Sequence, residues 1–124
     1  MKTLTLVTCL LAISLASDIE ILKEFYDVYA SCLTEVNAQE WTPEVVKCQL
    51  QKDGLIDEQG VLKKEELTAK FDNIISDETN LSQAKELIST CYDQGYQTPG
   101  SNDDKLMTTI QCSMQITDYI DKLE

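Results

Sequence analysis

Histidine is absent from all 124 residues of the chain. Histidine is the commonest general base, the usual partner of a serine or cysteine nucleophile, and the commonest nitrogen ligand of metal ions. The sequence also lacks cysteines spaced as C-x2-C, which structural zinc sites use, and it has no glycine-rich phosphate loop. It therefore predicts a protein that is not an enzyme and that needs no cofactor.

A calcium site is also absent, although DGLIDEQG (residues 53–60) superficially resembles the loop of an EF-hand. In the register that starts at Asp53, Leu55 takes a ligand position, and in the register that starts at Asp57, Val61 does. Neither register works, so no metal site is predicted. With 22 acidic residues some carboxylates always lie close together, so such pairs carry no information about catalysis.

Basic residues are few: 10 lysines and arginines stand against 22 acidic residues, and the formal net charge is -12. Proteins that bind nucleic acid or anionic membranes need a basic surface. The composition therefore predicts neither a nucleic-acid partner nor membrane insertion. It is typical of a protein that stays soluble at high concentration.

Charge is missing from residues 3–17, an apolar run that follows one early lysine and ends in small residues. This pattern predicts a secretory signal peptide at residues 1–16, cut after Ala16. A membrane anchor needs an apolar span of about 20 residues, and Asp18 ends this one early. The remaining residues, 17–124, are predicted to form one secreted, extracellular domain.

Four cysteines remain once Cys9 leaves with the signal peptide, namely Cys32, Cys48, Cys91 and Cys112. An even number of cysteines in a small exported chain indicates two disulfides. Each is worth about 3 kcal/mol for loops near 15 residues in the chain-entropy model. Four cysteines allow three pairings, and composition alone leaves all three open.

Most of the chain has apolar residues at steps of three and four, which is typical of amphipathic helices. No stretch alternates over more than a few residues as a strand does. The first helix is predicted over 18–36, where Phe25, Tyr29 and Cys32 share one stripe. The fold class is therefore predicted as all-α, with five to six short helices and no second domain.

Capping and stop signals predict the boundaries of the middle helices. Thr42 before Pro43 starts the second helix, and Gly54 ends it. The third helix is predicted from the inward spacing of four apolar side chains: Leu67, Phe71, Ile74 and Ile75.

Asn80 is predicted to cap the fourth helix, which Gly95 ends, and the last helix runs from about Asn102 nearly to the C-terminus. Asn80 also begins Asn80-Leu81-Ser82, a possible N-glycosylation site. A glycan would compete with the predicted cap for the same side-chain amide.

The stretch KCQLQKDGLIDEQGVLKKEEL (residues 47–67) resembles insect odorant-binding proteins, the pheromone and general odorant-binding group. In that family the third cysteine lies on a helix that is followed by a lysine-glycine turn, an aspartate, a second glycine and a new helix. Cys91 and Cys112 match the fourth and sixth cysteines. Glu44 and Asp103 stand where the second and fifth cysteines would be, so the chain resembles the four-cysteine "minus-C" type.

The resemblance implies pairing of Cys32 with Cys48 and of Cys91 with Cys112. It implies a helical bundle around an apolar cavity and a secreted carrier of odorants, pheromones or lipid-like molecules. The partners would be a small hydrophobic ligand, an odorant receptor or a second copy of the chain in a dimer.

Apolar residues on the inward helix faces are the candidate ligand-binding residues, with a tyrosine hydroxyl (Tyr29, or else Tyr26 or Tyr92) for a polar head group. Apolar residues at helical spacing are also what an ordinary core contains. The candidates are Phe71, Ile75, Ile88, Met107, Ile110, Met114 and Tyr29.

The interval between Cys32 and Cys48 departs from the resemblance, because it holds 15 residues, about half the usual family length. One wall of the cavity is then expected to be thin, or to be supplied by Trp41. The alternative is a secreted helical interaction protein, for example a salivary or venom component, without a usable ligand cavity. A third hypothesis, a small secreted enzyme or toxin such as a phospholipase, would want the missing histidine and calcium loop.

Overall fold

The computed structural model describes the backbone of residues 2–123 and the side chains of residues 19–123. Within those bounds the chain folds into five α-helices and one short 3-10 helix, with no β-strand, which confirms the predicted all-α class. The helices are α1 (Lys2–Val36), α2 (Pro43–Lys52), α3 (Lys64–Ile74), α4 (Glu78–Gln97) and α5 (Asn102–Cys112), and the 3-10 helix spans Met114–Asp118.

The predicted signal peptide, residues 1–16, lies outside the residues whose side chains the structure describes. The helix predicted over 18–36 is the later part of α1, which ends at Val36 as predicted. In the part of the chain that the structure describes, none of the helices combines the length and apolarity that a membrane crossing requires.

Helix α2 begins and ends where its capping residues predict. The Thr42 side chain accepts a hydrogen bond from the Val45 backbone N–H at 3.2 Å, and Pro43 takes the first helical position. Gly54 follows the helix with φ +73°, a left-handed conformation that L side chains rarely adopt. The polar start and the glycine stop together hold α2 to ten residues.

The stretch between α2 and α3 is a tight turn built on Asp57. Its carboxylate oxygen Oδ1 accepts hydrogen bonds from the backbone N–H groups of Gln59 and Val61, both at 2.9 Å. Leu55 and Leu62 on either side of the turn are buried. The residues that superficially resemble a calcium loop therefore serve to fold the connection onto the core.

Helix α4 starts earlier than predicted, because Asp77 is its N-cap and Asn80 is not. The Asp77 carboxylate accepts a hydrogen bond from the Asn80 backbone N–H at 2.9 Å, and α4 begins at Glu78. Aspartate and asparagine have similar capping preferences, and Asp77 comes first along the chain. The predicted cap at Asn80 is therefore wrong, and this residue lies within the first turn of the helix.

Replacing Asp77 with alanine is expected to lower the free energy of unfolding by about 1 kcal/mol, the usual effect of losing an N-cap. The matched change Asn80→Ala should have a much smaller effect, because the backbone N–H of Asn80 is retained. Urea denaturation followed by circular dichroism compares the two variants. A larger loss for Asn80→Ala would contradict the assignment of the cap.

Gly95 lies inside α4 and does not end it, so the predicted stop is wrong. The helix continues to Gln97, and Thr98 is extended because the following Pro99 disfavours helical backbone there. Gly95 is buried where α4 crosses α5, and a Cβ atom at this position would overlap the side chain of Thr109. The glycine therefore permits close packing of two helices.

The last helix starts where predicted but ends early. Ser101 caps α5 by a reciprocal capping box with Asp104. The helix ends at Cys112, and Ser113 donates hydrogen bonds from its hydroxyl to the carbonyl oxygens of Thr109 and Ile110. The chain then tightens into the 3-10 helix, so the prediction of one helix running nearly to the terminus is wrong.

Two disulfides join neighbouring helices, with the predicted pairing. Cys32 near the end of α1 bonds to Cys48 of α2, with 5.8 Å between their Cα atoms. Cys91 in the middle of α4 bonds to Cys112 at the end of α5, with 5.6 Å between Cα atoms. Cys32 and Cys91 are fully buried, so both bridges are anchored in the core.

Candidate functional site

A small cavity lies at the centre of the helical bundle and is lined by residues of all five α-helices and the 3-10 helix. Its volume is about 80 Å³. The wall is mostly apolar, but it includes the buried polar residue Gln49. It also includes Asp53 and Lys70, which form an ion pair with 3.0 Å between Oδ2 and Nζ. The cavity is the concave site from which any internal binding function would have to be built.

The cavity is small beside known ligand sites. Pockets for small molecules usually enclose about 300–1,000 Å³, and a cavity of about 150 Å³ is what binds benzene inside an engineered lysozyme. At about 80 Å³ this space is smaller than either. The interior is instead occupied by the protein's own side chains, as expected of an ordinary close-packed core.

Four of the seven predicted ligand-binding residues lie in the cavity wall. Ile75 is buried in the core beside the wall, and Met107 packs against the core while partly exposed. The four that line the cavity are Phe71, Ile88, Ile110 and Met114.

Tyr29 lies outside the cavity wall and stacks on Trp41, which does line it. The two ring centroids are 4.1 Å apart and the rings are tilted by 30°. Trp41 also packs against Phe25, with 5.9 Å between centroids. Trp41 therefore closes the wall beside the short connection between α1 and α2, and Tyr29 supports it from behind.

Gln49 is a polar residue of the cavity wall that the sequence did not indicate. It is 4% exposed, and its Nε2 donates a hydrogen bond to the Phe25 carbonyl oxygen at 3.0 Å. Its Oε1 is buried and has no hydrogen-bond partner among the described residues. Its spacing of four residues from the buried Val45 could have indicated an inward position on α2.

The C-terminal segment forms one side of the cavity and is held in place through Asp121. The Asp121 backbone N–H donates to the Ile74 carbonyl oxygen at 2.9 Å, and the Tyr26 hydroxyl donates to the Asp121 carbonyl oxygen at 2.7 Å. The Asp121 carboxylate accepts two hydrogen bonds at 3.0 Å from Ser76, one from its backbone N–H and one from its hydroxyl. These contacts tie the segment to α1 and to the end of α3.

Tyr26 and Tyr96 are two side chains through which the stability of the fold depends on pH. Burial, followed by the negative charge of Asp121, raises the pKa of Tyr26 above its ordinary value of 10.0. Burial is also the main cause that raises the pKa of Tyr96, whose hydroxyl accepts from the Leu62 backbone N–H at 2.9 Å. The folded state therefore favours the neutral form of both side chains.

Stability is expected to fall above about pH 10, the pKa of an unfolded tyrosine, as the pH rises through the higher folded values of Tyr26 and Tyr96. Below that pH both side chains are neutral in either state, and their full contribution is present. Urea midpoints measured between pH 8 and pH 12 test this. The Tyr26→Phe variant should lose less stability over that range than the wild type, and an equal loss would contradict the assignment.

A cluster of metal-ligating residue types, formed by Cys32, Cys48 and Glu35, has a structural explanation. The two sulfur atoms are bonded to each other, so neither is a thiolate available to a metal. The Glu35 carboxylate oxygen Oε2 forms an ion pair with Lys52 Nζ at 2.7 Å. Within residues 19–123 no other group of this kind was found.

The fold and the cavity define a class of protein: a small all-helical domain with two disulfides and a small, mostly apolar central cavity. The chain belongs to the ant venom allergen Sol i 2 family, whose model matches residues 31–117. It is 30% identical over 125 residues to Venom allergen 4 of Solenopsis geminata, an alignment that covers 93% of this chain and 90% of that protein.

This family assignment overturns the resemblance to odorant-binding proteins and, with it, the predicted carrier role and the expectation of an olfactory function. The matched segment, residues 31–117, contains all four cysteines on which the resemblance relied. A pattern of four cysteines on short helices is therefore not specific to odorant-binding proteins. The short interval between Cys32 and Cys48 was the feature that already departed from them.

Proposed function

We propose that the chain is a secreted component of venom that acts through its folded outer surface, as an interaction protein, and not as an enzyme or an internal carrier. The observation that supports this most strongly is the family match over residues 31–117, together with a relative that is named as a venom allergen. The apolar leader at residues 1–16 and the two disulfides agree with export through an oxidising compartment.

The small volume of the cavity favours the surface over the interior. A space of about 80 Å³ offers little apolar area to a guest, and the ion pair between Asp53 and Lys70 is part of its lining. Admission of a larger molecule would require displacement of packed side chains such as Phe71 and Ile110. Such displacement costs about 1–3 kcal/mol, which offsets part of what the burial of a small guest returns.

The surface is strongly acidic, which bears on the partner. A net charge of -12 disfavours nucleic acid and anionic membranes, and it favours proteins that present basic surfaces. The lack of histidine leaves an enzymatic role without its commonest catalytic group. The partner is therefore proposed to be another protein. Pairing with a second copy of the chain stays a prediction.

The proposal is tested by mass spectrometry of intact proteins in venom collected from the species that encodes the chain. The mass expected is that of a chain that begins at Ser17 and has both disulfides formed. A matched extract of antennae and of haemolymph serves as the control. Enrichment of the chain in either control tissue and its absence from venom would overturn the proposal.

A further inference from the structure

We propose that Asn80 carries an N-linked glycan in the exported chain, an inference that rests on the proposed secretion. The residues Asn80-Leu81-Ser82 form the acceptor pattern for this modification, with leucine and not proline in the middle position. Of the four asparagines in the sequence, Asn80 is the one followed two positions later by serine or threonine. The site lies at the start of α4.

The structure removes the conflict that the sequence posed at this residue. Had Asn80 been the N-cap of α4, its side-chain amide would have been engaged with the helix and a glycan would have cost a cap. Asp77 supplies the cap instead, and Asn80 contributes only its backbone N–H, at 2.9 Å from Asp77 Oδ1. Among the described residues, no hydrogen bond involves the Asn80 side-chain amide.

The residues around Asn80 are also exposed to solvent, as attachment of a glycan requires. Asn80 is partly exposed, its neighbours Glu78 and Thr79 are exposed, and Ser82 is exposed. Leu81 packs against the core on another side of the helix, because successive residues of an α-helix point about 100° apart. A glycan on Asn80 therefore projects into solvent without disturbing the contact of Leu81.

The disulfide of α4 lies well away from Asn80. Cys91 is eleven residues further along the helix, which is about 16 Å at a rise of 1.5 Å per residue. The glycan would therefore not obstruct the disulfide between Cys91 and Cys112. It would lie at the corner between α3, which ends at Ile74, and α4, which begins at Glu78.

Transfer of the glycan to Asn80 needs one co-reactant, an oligosaccharide joined to a lipid diphosphate. The side-chain nitrogen Nδ2 of Asn80 forms a bond to the anomeric carbon of the first sugar. The bond between that carbon and the diphosphate oxygen breaks, and the lipid diphosphate leaves. The amide proton passes to a base of the transferase, so no oxidation or reduction takes place.

The test is expression of the full chain in insect cells, followed by intact mass measurement of the protein recovered from the medium. The wild type should exceed the peptide mass by one oligosaccharide, and an amidase that cleaves N-linked glycans should remove the excess. Asn80→Gln and Ser82→Ala should both lack it. The matched control Asn73→Gln, at an exposed asparagine outside any acceptor pattern, should keep it.

The outcomes separate the glycan from the secretion on which it rests. Wild-type chain recovered from the medium at the unmodified peptide mass overturns the glycan and leaves the secretion intact. Wild-type chain found only inside the cells, uncleaved after Ala16, overturns the secretion and the glycan together. Excess mass that survives in both Asn80→Gln and Ser82→Ala places the modification elsewhere and overturns the site.

Discussion

Replacing Cys91 and Cys112 together with alanine is expected to lower the free energy of unfolding by about 3 kcal/mol, the value that the chain-entropy model gives for a loop of this length. The two residues are 21 positions apart, and their bridge holds the middle of α4 against the end of α5. Alanine is chosen because Cys91 is fully buried, where a serine hydroxyl would need a new hydrogen-bond partner. Urea denaturation under oxidising conditions measures the loss.

The other bridge provides the matched control. Cys32 and Cys48 are 16 positions apart, so their joint replacement with alanine should cost nearly the same, also about 3 kcal/mol. Small domains have total stabilities of about 5–15 kcal/mol, so loss of both bridges should leave little net stability. A variant lacking both bridges that unfolds at the wild-type urea midpoint would contradict the view that the disulfides stabilise this core.

Replacing Gly95 with alanine is expected to destabilise the domain by about 2–3 kcal/mol, within the usual range for overpacking. The added Cβ would overlap the Thr109 hydroxyl and lie 3.0 Å from the Lys105 carbonyl oxygen. Alanine would otherwise favour the helix by about 1 kcal/mol over glycine, so a net loss identifies the crossing of α4 and α5 as the cause. Thermal and urea denaturation measure it.

A double-mutant cycle isolates the contact. Thr109→Ala removes the hydroxyl that the new Cβ would meet, although it also removes the bond of that hydroxyl to the Lys105 carbonyl oxygen. The double variant should therefore be less destabilised than the sum of the two single variants. Simple additivity would show that Gly95 and Thr109 do not limit the approach of the two helices.

The fold class was predictable because its signals are local. Helical spacing of apolar residues indicates which segments are helices, and polar caps such as Thr42 and Ser101 mark where helices start. Among the boundaries that failed, the stop predicted at Gly95 depends on tertiary context. A glycine is equally suited to ending a helix and to letting two helices touch, and nothing in the local sequence around Gly95 distinguishes these roles.

The cavity was less predictable than the fold, since the inward face of a helix looks the same whether it lines a space or fills a core. Phe71 and Ile88 line the cavity while Ile75 lies beside it, although all three share apolar character and burial. Gln49 was missed because a polar residue is assigned to the surface by default. Cavity volume is a property of how the helices meet, and periodicity does not encode it.

The family was wrongly predicted for a related reason. Four cysteines at these spacings on short helices describe a way of crosslinking a small secreted core, and this arrangement is not specific to one family. The pairing of Cys32 with Cys48 and of Cys91 with Cys112 was right. The resemblance in cysteine pattern therefore predicted the fold correctly and the function wrongly.

We propose that the outer surface of the protein carries its function and that the small cavity does not take up a guest, and titration of the purified, oxidised mature chain with a fluorescent apolar probe tests this proposal. We expect no saturable binding at micromolar probe, because a cavity of about 80 Å³ is well below the usual volume of a ligand pocket. Saturable binding of one probe per chain, displaced by volatile esters or fatty acids, would contradict the claim.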